Sequence, residues 1–154
     1  MRNGGRIGAA IEVLEDVLGR HQPVKTALRD WGKRARYAGA KDRAWVSGLV
    51  LDALRRKSSL AHDMGTDTAR ALILACLVRI WGWGMKDLES ALTEEHAPAK
   101  LSGDERERLV MAPDPAAPAY VRGDFPDWMT PYFERAFGER MIEEAMAMNG
   151  RAPV

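Results

Sequence analysis

Apolar residues recur along most of this chain at offsets of three and four positions, which places them on one side of a helix. No stretch shows the strict alternation typical of a half-buried β-strand, and no internal repeat is visible. The periodic segments predict helices over about 6–18, 24–36, 41–57, 69–81, 86–96, 103–110, 124–137 and 139–148. The pattern therefore predicts an all-α fold, a helical bundle.

The segment 69–81 differs from the others because it is apolar on nearly every side. This composition predicts the central, buried helix of the bundle, with Leu74 and Leu77 nearly fully buried. Arg79 and the glycines that follow interrupt the apolar run, so we do not expect it to span a membrane.

The clearest boundary is the segment 111–118, MAPDPAAP, which contains three prolines and no periodicity. The sequence predicts a helical domain over 1–110, a Pro-rich linker over 111–123, and a C-terminal helical appendage over 124–154.

Charge is unevenly distributed, although the whole chain has a net charge of only +1. Residues 1–60 contain 13 Lys and Arg against 6 Asp and Glu, which gives +7. The remainder, 61–154, contains 10 against 16, which gives −6. A basic front half indicates a polyanionic partner such as RNA, although a solvated basic face is the commoner reason for such a pattern.

The helices predicted over 24–36 and 41–57 each have a basic outer face, and a short Tyr-Ala-Gly-Ala loop joins them. Lys and Arg on these faces would contact phosphates, and Tyr37 or Trp83 would stack on an unpaired base. The candidate RNA-contacting residues are Arg29, Lys33, Arg34, Arg36, Tyr37, Lys41, Arg43, Arg55, Arg56 and Lys57.

Trp81 and Trp83 form the motif Trp-Gly-Trp-Gly after the apolar helix. Two tryptophans spaced in this way can form a stacking platform for bases, but more often they cover the end of a core.

Residues that would support catalysis or metal binding are not grouped in the sequence. His21, His62 and His96 are scattered, without the spacing of metal ligands, and no glycine-rich phosphate loop follows a strand. Cys76 is the single cysteine and lies in an apolar run, so we expect a structural thiol in a reduced, cytoplasmic setting. We expect no metal and no membrane partner.

Four segments carry a resemblance to a known family. These are GGRIGAAIEVLEDVL, KDRAWVSGLVLDALRRKSSL, TARALILACLVRIWGW and PDWMTPYFERAFGERMIEEAMAMNGRAPV. In this order they resemble the N-terminal, NusB-like domain and following connector of the Sun/Fmu family of rRNA cytosine-C5 methyltransferases. The stretches MKDLESALTEEH and LSGDERERL depart from the family pattern.

The resemblance implies a NusB-like helical bundle that holds 16S rRNA for a catalytic domain. Family members continue beyond the "RAPV" position into a Rossmann-like domain that binds S-adenosylmethionine and carries two catalytic cysteines. This sequence stops at Val154 without a Pro-Cys motif. The expectation is that this chain holds no cofactor and does not methylate by itself, and that its partners are rRNA and its own methyltransferase domain.

Two other interpretations remain open. One is a stand-alone NusB-type transcription antitermination factor, a module that binds RNA and protein. The other is a helical protein–protein module in which the basic faces are only solvated.

Overall fold

The structure is a computed structural model that describes residues 1–152, and over this range it contains helices and no strand. The α-helices are α1 (Asn3–Gly19), α2 (Val24–Arg34), α3 (Ala40–Arg55), α4 (Lys57–Met64), α5 (Ala69–Arg79), α6 (Met85–Ala91), α7 (Gly103–Val110), α8 (Ala119–Arg122), α9 (Thr130–Phe137) and α10 (Met141–Asn149). Short 3-10 turns occupy Asp127–Met129 and Gly138–Arg140. The prediction of an all-α bundle is confirmed.

Helix α5 lies at the centre of the bundle, as its composition predicts. It packs against α1, α3, α4, α6 and α7, while α2 packs on α1 and α3. Leu74 and Leu77 have no exposed surface. Thr68 begins the helix, and its hydroxyl accepts a hydrogen bond from the Ala71 N–H at 3.2 Å.

The helix predicted over 41–57 corresponds to α3, and it is followed by a second helix that the sequence does not predict. Helix α3 ends at Arg55, and α4 covers Lys57–Met64, most of which lies beyond the predicted helix. Helix α4 begins here because Asp124, far away in the chain, accepts a hydrogen bond from the Ser59 N–H at 2.7 Å and so caps the first turn of the helix. Helix α4 then buries Leu60 and Met64.

Two other helices end earlier than their periodicity predicts. Helix α2 ends at Arg34, where Arg43 donates hydrogen bonds to the Gly32 and Ala38 carbonyls. Helix α6 ends at Ala91, and the chain then turns across the start of α1.

The segment predicted as a linker, 111–123, contains the short helix α8, which packs against α4 and α10. Phe125 follows it and is buried, and its ring stacks on that of Phe133 at a centroid distance of 4.4 Å. Helices α8, α9 and α10 thus form a small apolar cluster beside α4. The last two residues of the predicted appendage, 153–154, lie outside the described residues.

Candidate nucleic-acid interface

A groove between α2 and α3, of about 490 Å³, gathers four of the candidate residues. We call it the α2–α3 groove. Its cationic side chains are Arg29, Lys33, Arg36 and Arg43. The other lining residues are Leu28, Trp31, Gly32 and Ser47, so none of the described residues that line the groove is acidic.

Three of these cations face solvent on the outside of α2 and the loop after it. Arg29, Lys33 and Arg36 are exposed. Arg29 contacts the neighbouring Asp30 at 3.4 Å, an exposed pair that contributes little. Within residues 1–152, no carboxylate lies within ion-pair distance of Lys33 or Arg36.

Arg43 has a structural role as well as a place in the groove. Its Nε donates to the Ala38 carbonyl and its Nη2 to the Gly32 carbonyl, both at 3.0 Å. A positive charge at the C-terminal end of α2 interacts favourably with the helix dipole. A Cβ on Gly32 would lie 3.0 Å from Arg43 Nη1, so the glycine leaves room for the guanidinium.

Arg34 points away from this groove and toward α1. It donates to Glu12 at 2.8 Å and lies 3.7 Å from Asp16. The hydrogen bond to Glu12 is the main reason that the pKa of Arg34 is raised. Its charge is therefore already opposed by two carboxylates.

Tyr37 is highly exposed, at 74% of its surface, but it does not line the α2–α3 groove. It lies instead at the edge of a different depression, with Arg2, Glu12 and His96 among its neighbours. The structure therefore places Tyr37 outside the groove that Arg36 and Arg43 line.

A second groove, of about 710 Å³, lies between α3 and the residues that follow α10, and we call it the C-terminal groove. Three more candidates, Lys41, Arg55 and Arg56, line it together with Arg151. Lys41 and Arg55 are 14 residues apart on α3, a span of about 21 Å at 1.5 Å per residue. Lys57 is exposed and lines neither groove.

Arg151 contributes to this second groove through a forked contact that sequence reasoning missed. Its Nη2 donates to Asp52 Oδ2 at 2.6 Å and its Nε to Oδ1 at 3.1 Å. Asp52 also accepts hydrogen bonds from Trp81 Nε1 at 2.9 Å and from Arg55 at 3.0 Å. Nothing local marks Arg151, because its partner is 99 residues away.

The carboxyl group of Asp52 is held in its charged form by these donors. Burial alone raises its pKa, but the hydrogen bonds from Arg151 and Trp81 outweigh burial, so the pKa of Asp52 is lowered overall.

The tryptophans of the Trp-Gly-Trp-Gly motif pack around Trp45 of α3. The Trp45 and Trp81 rings meet edge to face at a centroid distance of 5.1 Å, and Trp83 lies 6.2 Å from Trp45. All three are partly buried against the core. Of these, Trp45 and Trp81 also line the C-terminal groove, so they combine a packing role with accessible aromatic surface.

The described residues contain no cluster of three or more His, Cys, Asp or Glu side chains placed to hold a metal ion. Within the same part of the chain, none of the helices combines the length and apolar character needed to cross a bilayer. Comparison with known proteins yields no matching family model, no matching curated protein and no matching solved structure.

Proposed function

We propose that this chain is an RNA-binding helical module whose α2–α3 groove contacts the phosphate backbone of folded RNA. In line with the sequence resemblance, the proposal extends to a NusB-like N-terminal region of a cytoplasmic 16S rRNA cytosine-C5 methyltransferase. In that setting the module positions rRNA for a catalytic domain, and S-adenosylmethionine binds to that domain and not to this chain.

The observation that carries the proposal is the set of exposed cations in the α2–α3 groove. Arg29, Lys33 and Arg36 face solvent, and the described residues that line the groove include no carboxylate. A concave surface of one charge concentrates counter-ions more strongly than a flat face with mixed charges. Phosphates of RNA are opposite to it in charge, and contacts to them are largely independent of sequence.

The experiment compares two triple variants that remove the same charge. The first is Arg29→Ala, Lys33→Ala and Arg36→Ala. The matched control is Lys86→Ala, Lys100→Ala and Arg122→Ala, which are exposed residues outside the groove. Arg34 and Arg43 are left unchanged because each is engaged within the protein.

Binding of a fluorescein-labelled 16S rRNA hairpin is followed by anisotropy at several salt concentrations. In the groove variant, the slope of log affinity against log salt should fall by roughly two to three, because about 0.9 counter-ion is released for each phosphate neutralised. The control should retain the parent slope. Equal slopes in the groove variant and the parent would instead favour the helical protein–protein module.

A further inference from the structure

The C-terminal groove combines four cationic side chains with two partly buried tryptophans, Trp45 and Trp81. Its volume of about 710 Å³ lies within the range of about 300–1,000 Å³ typical of small-molecule sites. Its charged lining residues are Lys41, Asp52, Arg55, Arg56 and Arg151. Four cations and one carboxylate leave it a net charge of +3.

The single carboxylate is already neutralised from within. Asp52 accepts hydrogen bonds from Arg151, Arg55 and Trp81, so its oxygens are occupied. Lys41 is exposed, and no carboxylate of the described chain lies within ion-pair distance of it. Arg55 donates to Asp52 through Nη1 only, which leaves its other N–H groups free for an anion.

Two small residues of α3, Ala44 and Gly48, line the groove together with the indoles of Trp45 and Trp81. A Cβ on Gly48 would lie 3.1 Å from Arg151 Nη2 and 3.7 Å from Trp81 Cζ2. Glycine at position 48 therefore leaves room for the Arg151 guanidinium to pack against α3 beside the Trp81 indole.

We propose that the C-terminal groove binds a short unpaired segment of RNA. One base lies against the indole surfaces that line the groove, and Lys41 and Arg55 contact phosphates several nucleotides apart on the same strand. Aromatic side chains favour unpaired bases, because paired bases are already stacked within the helix. This inference rests on the proposed function and deepens it. The α2–α3 groove then holds the backbone of double-stranded RNA, and the C-terminal groove holds an adjacent unpaired segment.

The test uses two RNA probes with the intact chain. A blunt RNA duplex reports on backbone binding by anisotropy, and a single-stranded hexaribonucleotide reports on base stacking by quenching of tryptophan fluorescence. The first variant, Lys41→Ala with Arg55→Ala, should weaken hexamer binding by roughly tenfold or more, and duplex binding by no more than about twofold. Lys86→Ala with Lys100→Ala is the charge-matched control.

A second variant, Gly48→Leu, crowds the groove beside Trp81 and displaces the Arg151 guanidinium, while Lys41 and Arg55 are unchanged. It should abolish quenching by the hexamer without weakening duplex binding, and circular dichroism checks its fold. Gly48→Ala replaces it if the leucine variant does not fold.

Each outcome has a separate meaning. Duplex binding without hexamer quenching would overturn this inference and leave the proposed function intact. Failure of both probes would overturn both. Equal quenching in the parent and the Lys41/Arg55 variant, or stronger quenching by a hexaglutamate peptide than by RNA, would also overturn the nucleotide site.

Discussion

Asp124 caps helix α4 through Ser59, which lies 65 residues before it in the chain, because its carboxylate accepts the Ser59 N–H at 2.7 Å and the Ser59 hydroxyl at 2.8 Å. The side chain of Asp124 is 3% exposed. Burial raises its pKa, in spite of the hydrogen bonds from Ser59. This contact joins the C-terminal cluster of α8, α9 and α10 to the main bundle.

We predict that Asp124→Ala lowers the free energy of unfolding by about 1–2 kcal/mol, the usual cost of losing a helix cap. Asp127→Ala is the matched control, because Asp127 is exposed on the neighbouring 3-10 turn. Urea denaturation followed by circular dichroism measures both variants. Equal losses in the two would mean that the contact with Ser59 contributes no specific stability.

The difference between α5 and α4 shows what the sequence can predict. Helix α5 has its own signals within the segment, an apolar composition on all sides and Thr68 as a cap. The capping box of Ser102 and Glu105 at the start of α7 is likewise a local sequence signal, and both of its hydrogen bonds form in the structure. The cap of helix α4 is supplied by Asp124, so the sequence of residues 55–65 alone does not predict where this helix begins.

The candidate interface shows the same difference between what local sequence predicts and what depends on distant contacts. Periodicity predicts that α2 and α3 have basic outer faces, and most of these side chains are indeed exposed. The direction in which each side chain points depends on distant partners: Arg34 pairs with Glu12 of α1, and Arg151 reaches Asp52. The division of the cations into two grooves therefore required the structure.

Gly4 and Gly5 are adjacent in α1, but only Gly4 is tightly packed. A Cβ on Gly4 would lie 2.5 Å from the Ala91 carbonyl oxygen and 2.7 Å from the Ala97 Cβ. A Cβ on Gly5 would meet only the mobile end of Met1, at 3.7 Å. Gly4→Ala should therefore destabilise the protein by about 1–3 kcal/mol through overpacking.

Gly5→Ala is the control, and it should stabilise the protein by about 0.5–1 kcal/mol because alanine is the better helix former. Thermal unfolding followed by circular dichroism measures both. The same sign of change in the two variants would contradict the packing described for α1 and the 91–97 segment.

Arg70 and Glu105 form a two-pronged ion pair between α5 and α7. Arg70 Nε donates to Glu105 Oε2 at 2.8 Å and Nη2 to Oε1 at 3.1 Å. The pKa of Glu105 is lowered from 4.5, chiefly by this hydrogen bond. A lowered folded-state pKa means that the pair stabilises the protein fully above the unfolded-state value and ceases to do so as the pH falls through the folded-state value.

We therefore expect Glu105→Gln to be less stable than the parent near neutral pH, by about 1–2 kcal/mol. The difference should shrink as the pH falls below about 4.5. Glu107→Gln, an exposed change on the same helix, should show neither effect. Urea denaturation over a pH series measures the three proteins, and a constant gap at every pH would contradict a charge-dependent contact.

Cys76 offers a direct measure of how often the core opens. It is the only cysteine in the chain, it is fully buried in α5, and burial is the main cause that raises the pKa of its thiol to about 12. At pH 8 only about one thiol in 10⁴ would be ionised, and the thiolate is the reactive form. We predict that the folded protein reacts with a disulfide reagent such as DTNB only through transient unfolding.

Leu77→Ala tests this connection because it destabilises the same helix without changing the thiol. Removing the buried side chain should cost about 2–5 kcal/mol, through lost contacts and the cavity that remains. When closing is faster than labelling, the labelling rate follows the open population, so a loss of 2 kcal/mol should accelerate it about 30-fold. Val110→Ala, at a site that is 60% exposed, should leave the rate nearly unchanged. Rapid labelling of the parent protein, at the rate seen in guanidinium chloride, would contradict the burial of Cys76.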